Sequence, residues 1–293
     1  MQTLLKGIFD MHVHTAPDVI SRKYTDFELV DAAVRVGARG IVIKSHQGST
    51  VERAFLCNEY NKKVYGNNDF KMYGGIVLNF PVGGINPDAV KTALKLGAKE
   101  VWLPTIHSKN DMQKHGKTGG IEVLDKRGHI IEPLKEIMKM IRDEDIVLAT
   151  GHLSPKEIFG VVNEARSIGI KKIVITHPEF WIVGLSHKEQ KKLVDDYDVI
   201  LERCYRQPLI DGTWESNLED TLKLVEEIGW KNIMIDTDSG QTVNPVWEEE
   251  IADYINFLYE HGIPEEAIRF MTQEVPSRLL NVLLQNREEK REK

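Results

Sequence analysis

Eight short runs of apolar, β-branched residues recur along this 293-residue chain, separated by stretches of helical periodicity, and no other feature narrows its possible folds as much. The runs are Gly7 to His14, Arg39 to His46, Met72 to Asn79, Glu100 to Thr105, Ile146 to His152, Lys172 to His177, Val199 to Cys204 and Asn232 to Asp238. Strands joined through helices lie parallel, because only a crossover connection returns the chain to the same end of a sheet. Helix candidates Asp26 to Val36, Pro87 to Leu96, Pro155 to Ile168 and Leu218 to Ile228 open at Thr, Ser or Asn caps or at early prolines. Gly37, Gly97, Gly169 and Gly229 each follow a helical pattern and precede a strand, where a left-handed helix stop is expected. An open doubly wound sheet shares the alternation, but eight successive units of similar size predict closure into a (β/α)8 TIM barrel, a single domain over residues 1–293.

Two regions depart from the rhythm. Ser108 to Glu132 is polar and Gly-rich, with a hairpin expected from Ile121 to Leu124 and His129 to Ile131 around Asp125 to Gly128; it reads as an insertion over the barrel mouth after strand four. Beyond strand eight, Val246 to Glu260 and Glu265 to Asn281 read as extra C-terminal helices on the outside of the barrel, and Arg287 to Lys293 as a solvated charged tail. No run approaches the roughly eighteen apolar residues of a membrane span, and Met1 to Lys6 lacks the apolar core of a signal peptide, so the expectation is a cytoplasmic protein. A net charge of −7 speaks against a nucleic-acid surface. The two cysteines, Cys57 and Cys204, have no metal-type spacing and read as reduced and incidental. A homo-oligomer is compatible with all of this.

The polar residues carry the functional signal. His12, His14, His46, His152 and His177 stand at the ends of strand runs rather than scattered over helices, and in a barrel the C-terminal strand ends converge on one mouth. In Asp10-Met11-His12-Val13-His14 the two-residue period of a strand puts both imidazoles on one face, close enough to chelate one ion. A lone strand-end histidine can equally satisfy a core hydrogen bond; the joint placement is what points to a site. Asp236-Thr237-Asp238-Ser239-Gly240 closes strand eight with two carboxylates at i and i+2. Asp-Ser-Gly is also ordinary turn chemistry, yet a carboxylate beside several histidines is what a divalent metal requires. Lys44 and His46 share one face at the end of strand two, and a lysine within Ile41-Val42-Ile43-Lys44 has to bury its stem.

On these positions the chain resembles the amidohydrolase superfamily of metal-dependent hydrolases over nearly its whole length. In that superfamily a His-x-His pair after strand one holds a metal, histidines after strands five and six bind a second metal or the substrate, and an aspartate after strand eight binds metal and shuttles protons. The resemblance places these roles on His12 and His14, on His152 and His177, and on Asp238. The Gly119-Gly120-Ile121 to Ile131 hairpin and Gly151-His152-Leu153-Ser154 are similar to members as well. One departure concerns strand four, which ends Trp102-Leu103-Pro104-Thr105 without the carboxylated lysine or glutamate that bridges two metals in binuclear members. Either Lys44 supplies the bridge from strand two, or the site holds one ion. The opening Asp10 to Thr15 is similar also to phosphoesterases of the polymerase-and-histidinol-phosphatase type, but those place a histidine after the last aspartate, where this chain has Asp238-Ser239-Gly240-Gln241.

The function expected is a metal-activated water attacking an amide, cyclic amide or lactone carbonyl of a small molecule, with Asp238 as general base and His177 or Lys44 assisting. Zinc is the expected metal, one or two ions, with manganese or iron as alternatives. His46, Trp102, His107, Glu202 and Arg206 are candidate substrate contacts, with Tyr205 and Trp181 near them. The phosphoesterase, and a mononuclear decarboxylase or deaminase of the same superfamily, are the alternatives.

Overall fold

The computed structural model describes residues 2–283, so the charged run from Arg287 lies outside the described residues. Eight strands form one sheet: β1 (Phe9–Val13), β2 (Gly40–Ile43), β3 (Lys71–Val77), β4 (Glu100–Trp102), β5 (Val147–Ala149), β6 (Ile173–Ile175), β7 (Ile200–Cys204) and β8 (Ile233–Asp236). Each pairs in parallel with its sequence neighbour. The ring closes between β1 and β8 through a bridge from Val13 to Ser239, where the His14 N–H donates to the Ser239 carbonyl at 2.8 Å. The expected barrel is therefore the barrel observed.

One helix packs outside after each strand, over Asp26–Val36, Val51–Tyr65, Pro87–Lys95, Glu132–Asp143, Pro155–Ile168, His187–Tyr197, Leu218–Ile228 and Trp247–Glu260. Their starts are chemically marked: Thr25, Ser154 and Ser186 each form a reciprocal capping box with a glutamate three residues on. All four predicted glycine stops take positive φ. No helix among the described residues is long and apolar enough to cross a membrane.

The lower barrel interior is apolar, filled by Phe9, Met11, Val42, Val77, Trp102, Val147 and Met234, and Val275, Leu279 and Leu280 of the C-terminal segment join it. That segment is not the continuous helix expected from Glu265 to Asn281. It runs α-helical over Glu265–Arg269, widens to a π-helical turn over Phe270–Glu274 and resumes over Val275–Leu280. Pro276 has no N–H to donate, and its ring crowds the preceding turn. The insertion after β4 does lie at the mouth: its short helix, Lys109–Lys114, is tied there by Asn110, which donates to the carbonyls of His152 and Ile182. Its expected hairpin is reduced to a single antiparallel bridge, Leu124 to Ile130. A hairpin that the periodicity did not predict, Arg206–Pro208 with Trp214–Ser216, follows β7 directly.

Side chains complete the β1–β8 seam where the backbone ladder is short. Asp236 Oδ1 accepts the Met11 N–H at 2.6 Å. Asp10, fully buried, accepts from the Thr237 hydroxyl at 2.7 Å, the Trp247 indole at 2.8 Å and the His12 N–H at 3.0 Å. Removing this carboxylate strands three buried donors, and bonds to a charged acceptor contribute roughly 1.5–3 kcal/mol each. Asp10→Ala is therefore expected to lower the melting temperature by roughly 10 °C or more. A calorimetric scan showing an unchanged midpoint would mean that the seam does not depend on Asp10.

Candidate active site at the barrel mouth

Inside the barrel, side chains rise in steps of two from apolar floor to polar rim: Val42, Lys44 and His46 from β2, Ile200, Glu202 and Cys204 along β7, Met234, Asp236 and Asp238 from β8. His152 follows β5 by way of Gly151, whose φ is +59° and where a Cβ would lie 2.3 Å from the Leu103 carbonyl oxygen, so only glycine lets the chain turn there. His177 and Asp238 also sit at positive φ, 25° and 53°, a conformation that non-glycine residues adopt at a cost and that tends to mark functional positions.

Five imidazoles close into a ring. Successive centroids are 5.3 Å apart for His12 and His14, 4.8 Å for His14 and His46, 5.9 Å for His46 and His152, 4.9 Å for His152 and His177, and 5.7 Å for His177 and His12. Asp238 meets two of them with one atom: Oδ1 lies 3.2 Å from Nε2 of His12 and 3.2 Å from Nε2 of His14. Lys44 turns inward, its Nζ 2.8 Å from Nε2 of His12 and above the buried ring of Trp102. The structure thus brings His12, His14, Lys44, His46, His152, His177 and Asp238 together.

Behind this ring, a second layer of groups sets the tautomers. Nδ1 of His12 lies 3.1 Å from Glu202, Nδ1 of His152 2.6 Å from Asp111, and Nδ1 of His46 2.8 Å from the Thr105 hydroxyl. A carboxylate can only accept, so His12 and His152 carry their protons on Nδ1 toward Glu202 and Asp111 and turn Nε2 to the centre, an arrangement common among metal-ligating histidines. His14 Nδ1 faces Arg22 at 3.4 Å. Nδ1 of His177 is buried without a partner among the described residues.

Burial holds His14, His46 and His177 well below the ordinary imidazole pKa and lowers His152, leaving these rings neutral. His12 goes the other way: burial pushes it down, but Asp238 and Glu202 outweigh that and raise it to about 9. Burial alone would raise Asp238, yet His12 and His14 hold its carboxyl well below the usual range. Asp238 and Glu202 together therefore favour a positive charge at His12, as a proton or as a cation in its place. Burial lowers the Lys44 ammonium, opposed by Asp238 and Glu202.

Above the ring lies a cavity of about 220 Å³, reached by His14, Lys44, His46, His152, His177 and Asp238. Of the predicted substrate contacts, only His46 lines it. Trp102 is fully buried beneath Lys44, level with Val77 and Ala149 in the apolar floor of the barrel. Glu202 sits behind His12 as its hydrogen-bond partner, and His107 packs against Phe80 at 4.6 Å. Arg206 lies on the unpredicted hairpin and donates to the Trp214 carbonyl, Tyr205 donates to Asp253, and Trp181 meets His115 edge-on. Cys204 is not incidental in position: its Sγ is 3.9 Å from His12 Nδ1, and with His12 and Asp238 it offers three donor atoms within 4.8 Å of one another. Strand four, which lacks a metal-bridging residue at its end, instead places Glu100 inside the barrel, both carboxylate oxygens buried without a partner among the described residues.

The chain belongs to a family of unknown function, DUF6282, which matches residues 7–202. No curated protein matches it. Among solved structures it is similar to an amidohydrolase from Pseudomonas aeruginosa, at 14% identity and a TM-score of 0.63 over 96% of this chain and 97% of that one. A putative 2-pyrone-4,6-dicarboxylic acid hydrolase from Pseudomonas putida matches at 14% identity and 0.59, covering 95% and 99%. The 2,6-dihydroxybenzoate decarboxylase from Rhizobium matches at 12% and 0.54, covering 94% and 99%. The barrel is thus the fold of amidohydrolases, as the strand-end motifs implied.

Asp111 was invisible to sequence reasoning, and its role is testable without any substrate. With Asp111→Ala, His152 loses the acceptor that fixes its Nδ1 proton. Nitrogen NMR of the histidine side chains should show His152 passing from one tautomer to a mixture, while Asp111→Glu largely restores it. An unchanged His152 signal in Asp111→Ala would show that another group sets its tautomer.

Proposed function

We propose that the chain is a metal-dependent hydrolase that opens a carbonyl–nitrogen or carbonyl–oxygen bond of a small amide, cyclic amide or lactone. The observation that carries this reading is the single oxygen of Asp238 shared by the Nε2 atoms of His12 and His14 at 3.2 Å. The donor set fits a divalent ion: two imidazole nitrogens and a carboxylate converge, His152 and His177 face them, and the orphaned Nδ1 of His177 leaves a nearby buried nitrogen unsatisfied. Nitrogen and oxygen donors of this kind suit zinc, with manganese or iron as substitutes. When bound, such an ion polarises the carbonyl and makes water more acidic.

The residues of the chain do the rest. Asp238 stays ionised, and its position beside both imidazoles lets it accept the proton of the attacking water and return it to the leaving nitrogen or oxygen. Lys44 reaches the cavity and can donate to the developing oxyanion, as can His177 from across the ring. Glu202 and Asp111 keep His12 and His152 in the orientation that this requires. Asp236 has a different task, because its Oδ1 is committed to the Met11 N–H at the seam.

Metal analysis tests the first part. Replacing His12 and His14 together with alanine should bring bound zinc or manganese close to zero while the far-ultraviolet circular dichroism is kept; unchanged metal content would show that the site lies elsewhere. The proton shuttle is tested by Asp238→Asn, which keeps size but removes the base and should cost roughly 10²–10⁴ in rate. Asp236→Asn should cost less. Assayed on lactones, cyclic amides, N-acyl compounds and phosphomonoesters at saturating zinc or manganese, full activity in Asp238→Asn would remove it as the base. Phosphomonoester turnover without carbonyl activity would replace the reading by a phosphoesterase.

A further inference from the structure

The hydrolase reading leaves half of the cavity unused. Its polar lining is the histidine ring with Lys44 and Asp238, joined by Asp111, His115 and Gln241; the rest is an apolar wall built from Ile106 after β4, Phe180 and Ile182 after β6, and Pro208 and Trp214 of the hairpin after β7. These come from three loops, yet they are fixed as one wall. Pro208 and Trp214 are direct cross-strand partners, so their side chains share one face of the hairpin. Gln207, one residue along, lies on the opposite face, where its side-chain oxygen accepts the Trp181 N–H at 3.1 Å and ties the hairpin to the β6 loop. Phe180 stacks on His177 with centroids 4.1 Å apart and planes within 9°, so the wall meets the ring through a parallel aromatic pair.

A site lined this way sorts its ligand by polarity. A carbonyl is favoured beside Lys44, Asp238 and the imidazoles, whereas the part reaching the wall meets only one side-chain donor among these five residues, the Trp214 indole N–H, and gains mainly by shedding water from apolar surface. The volume of about 220 Å³ lies below the roughly 300–1,000 Å³ of pockets that hold drug-sized ligands. A peptide or nucleotide exceeds it, and a small aliphatic amide leaves the wall uncovered.

From this we infer that the substrate is a compact ring compound with an apolar, preferably aromatic, body fused or attached to the carbonyl that reacts, and that Trp214 is the residue that selects it. This inference rests on the reading of the polar half as the reacting half. Trp214 acts on the body of the ligand alone, so its effect is on binding rather than on proton transfer.

Calorimetric titration of the zinc-reconstituted full chain with two stable lactams provides the test: isoindolin-1-one, which carries a benzo ring, and 2-pyrrolidinone, which has the same lactam without it. Isoindolin-1-one is expected to bind at least tenfold more tightly. Trp214→Ala should reduce that preference to within about threefold, and Trp214→Phe should keep most of it, with matched melting curves showing that the variants are folded. Equal affinity for the two lactams, no binding of either, or a preference untouched in Trp214→Ala would each overturn the assignment. Zinc content and lactone turnover measured on the same samples report separately on the hydrolase reading. Tight, Trp214-dependent binding by a protein that neither holds metal nor turns over carbonyl substrates would keep the wall and remove the hydrolase.

Discussion

The site depends on β8 being held against β1. Only then can one oxygen of Asp238 stand 3.2 Å from two imidazoles that belong to the other end of the barrel sequence. The backbone alone gives a single bridge there, and the closeness is carried by Asp10 and Asp236 reaching across the seam and by Gly240, where a Cβ would lie 2.0 Å from the His14 carbonyl oxygen. At Gly240 the two segments meet so closely that no side chain fits. The same closure that completes the barrel therefore assembles the charge pattern: an ionised carboxylate shared by two rings, with a second carboxylate, Glu202, behind one of them.

That pattern explains why so many buried polar groups are tolerated together. Isolated, a buried carboxylate or amine is costly. Here His12 stands between Glu202 and Asp238, the same two acidic groups oppose the burial of Lys44, and His152 is anchored by Asp111, so most of these groups have an offsetting charge or a hydrogen-bond partner nearby. Glu100, Asp236 and His177 retain unpartnered buried atoms, and all three lie in or next to this cluster. The groups proposed to react are thus also groups on which the packing of the barrel mouth depends.

The sequence made the barrel and the ring legible for one reason: both are written in local periodicity. An apolar run that ends in a histidine announces a strand end, and the barrel topology then brings strand ends together. The partners of those histidines were not legible. Asp111 and His152 are 41 residues apart, and Glu202 and His12 are 190 apart, and nothing local marks either pair. Cys204 offered a weaker signal, since it continues the two-residue step Ile200, Glu202, Cys204, but a search for metal-type cysteine spacing passes over a cysteine with no second cysteine near it. The hairpin after β7 escaped because its strands are three residues each and mixed in polarity; Asp211-Gly212 at its turn was the trace it left. Trp102 misled for the opposite reason, a strand-end position whose side chain points down into the core rather than up.

The hairpin is the part of this mouth that can drift. Every group proposed to react stands at a strand end, where a shift in the backbone would disturb the sheet, whereas Pro208 and Trp214 ride on a two-stranded ribbon whose other face is held mainly through Gln207. Exchanging the residues of one small ribbon would change what fills the cavity and leave the seam, the ring and the shared carboxylate oxygen as they are. Relatives built on this barrel could thus divide a range of ligands among themselves through a handful of substitutions in one short segment, with the reacting end held constant by the architecture that closes the sheet.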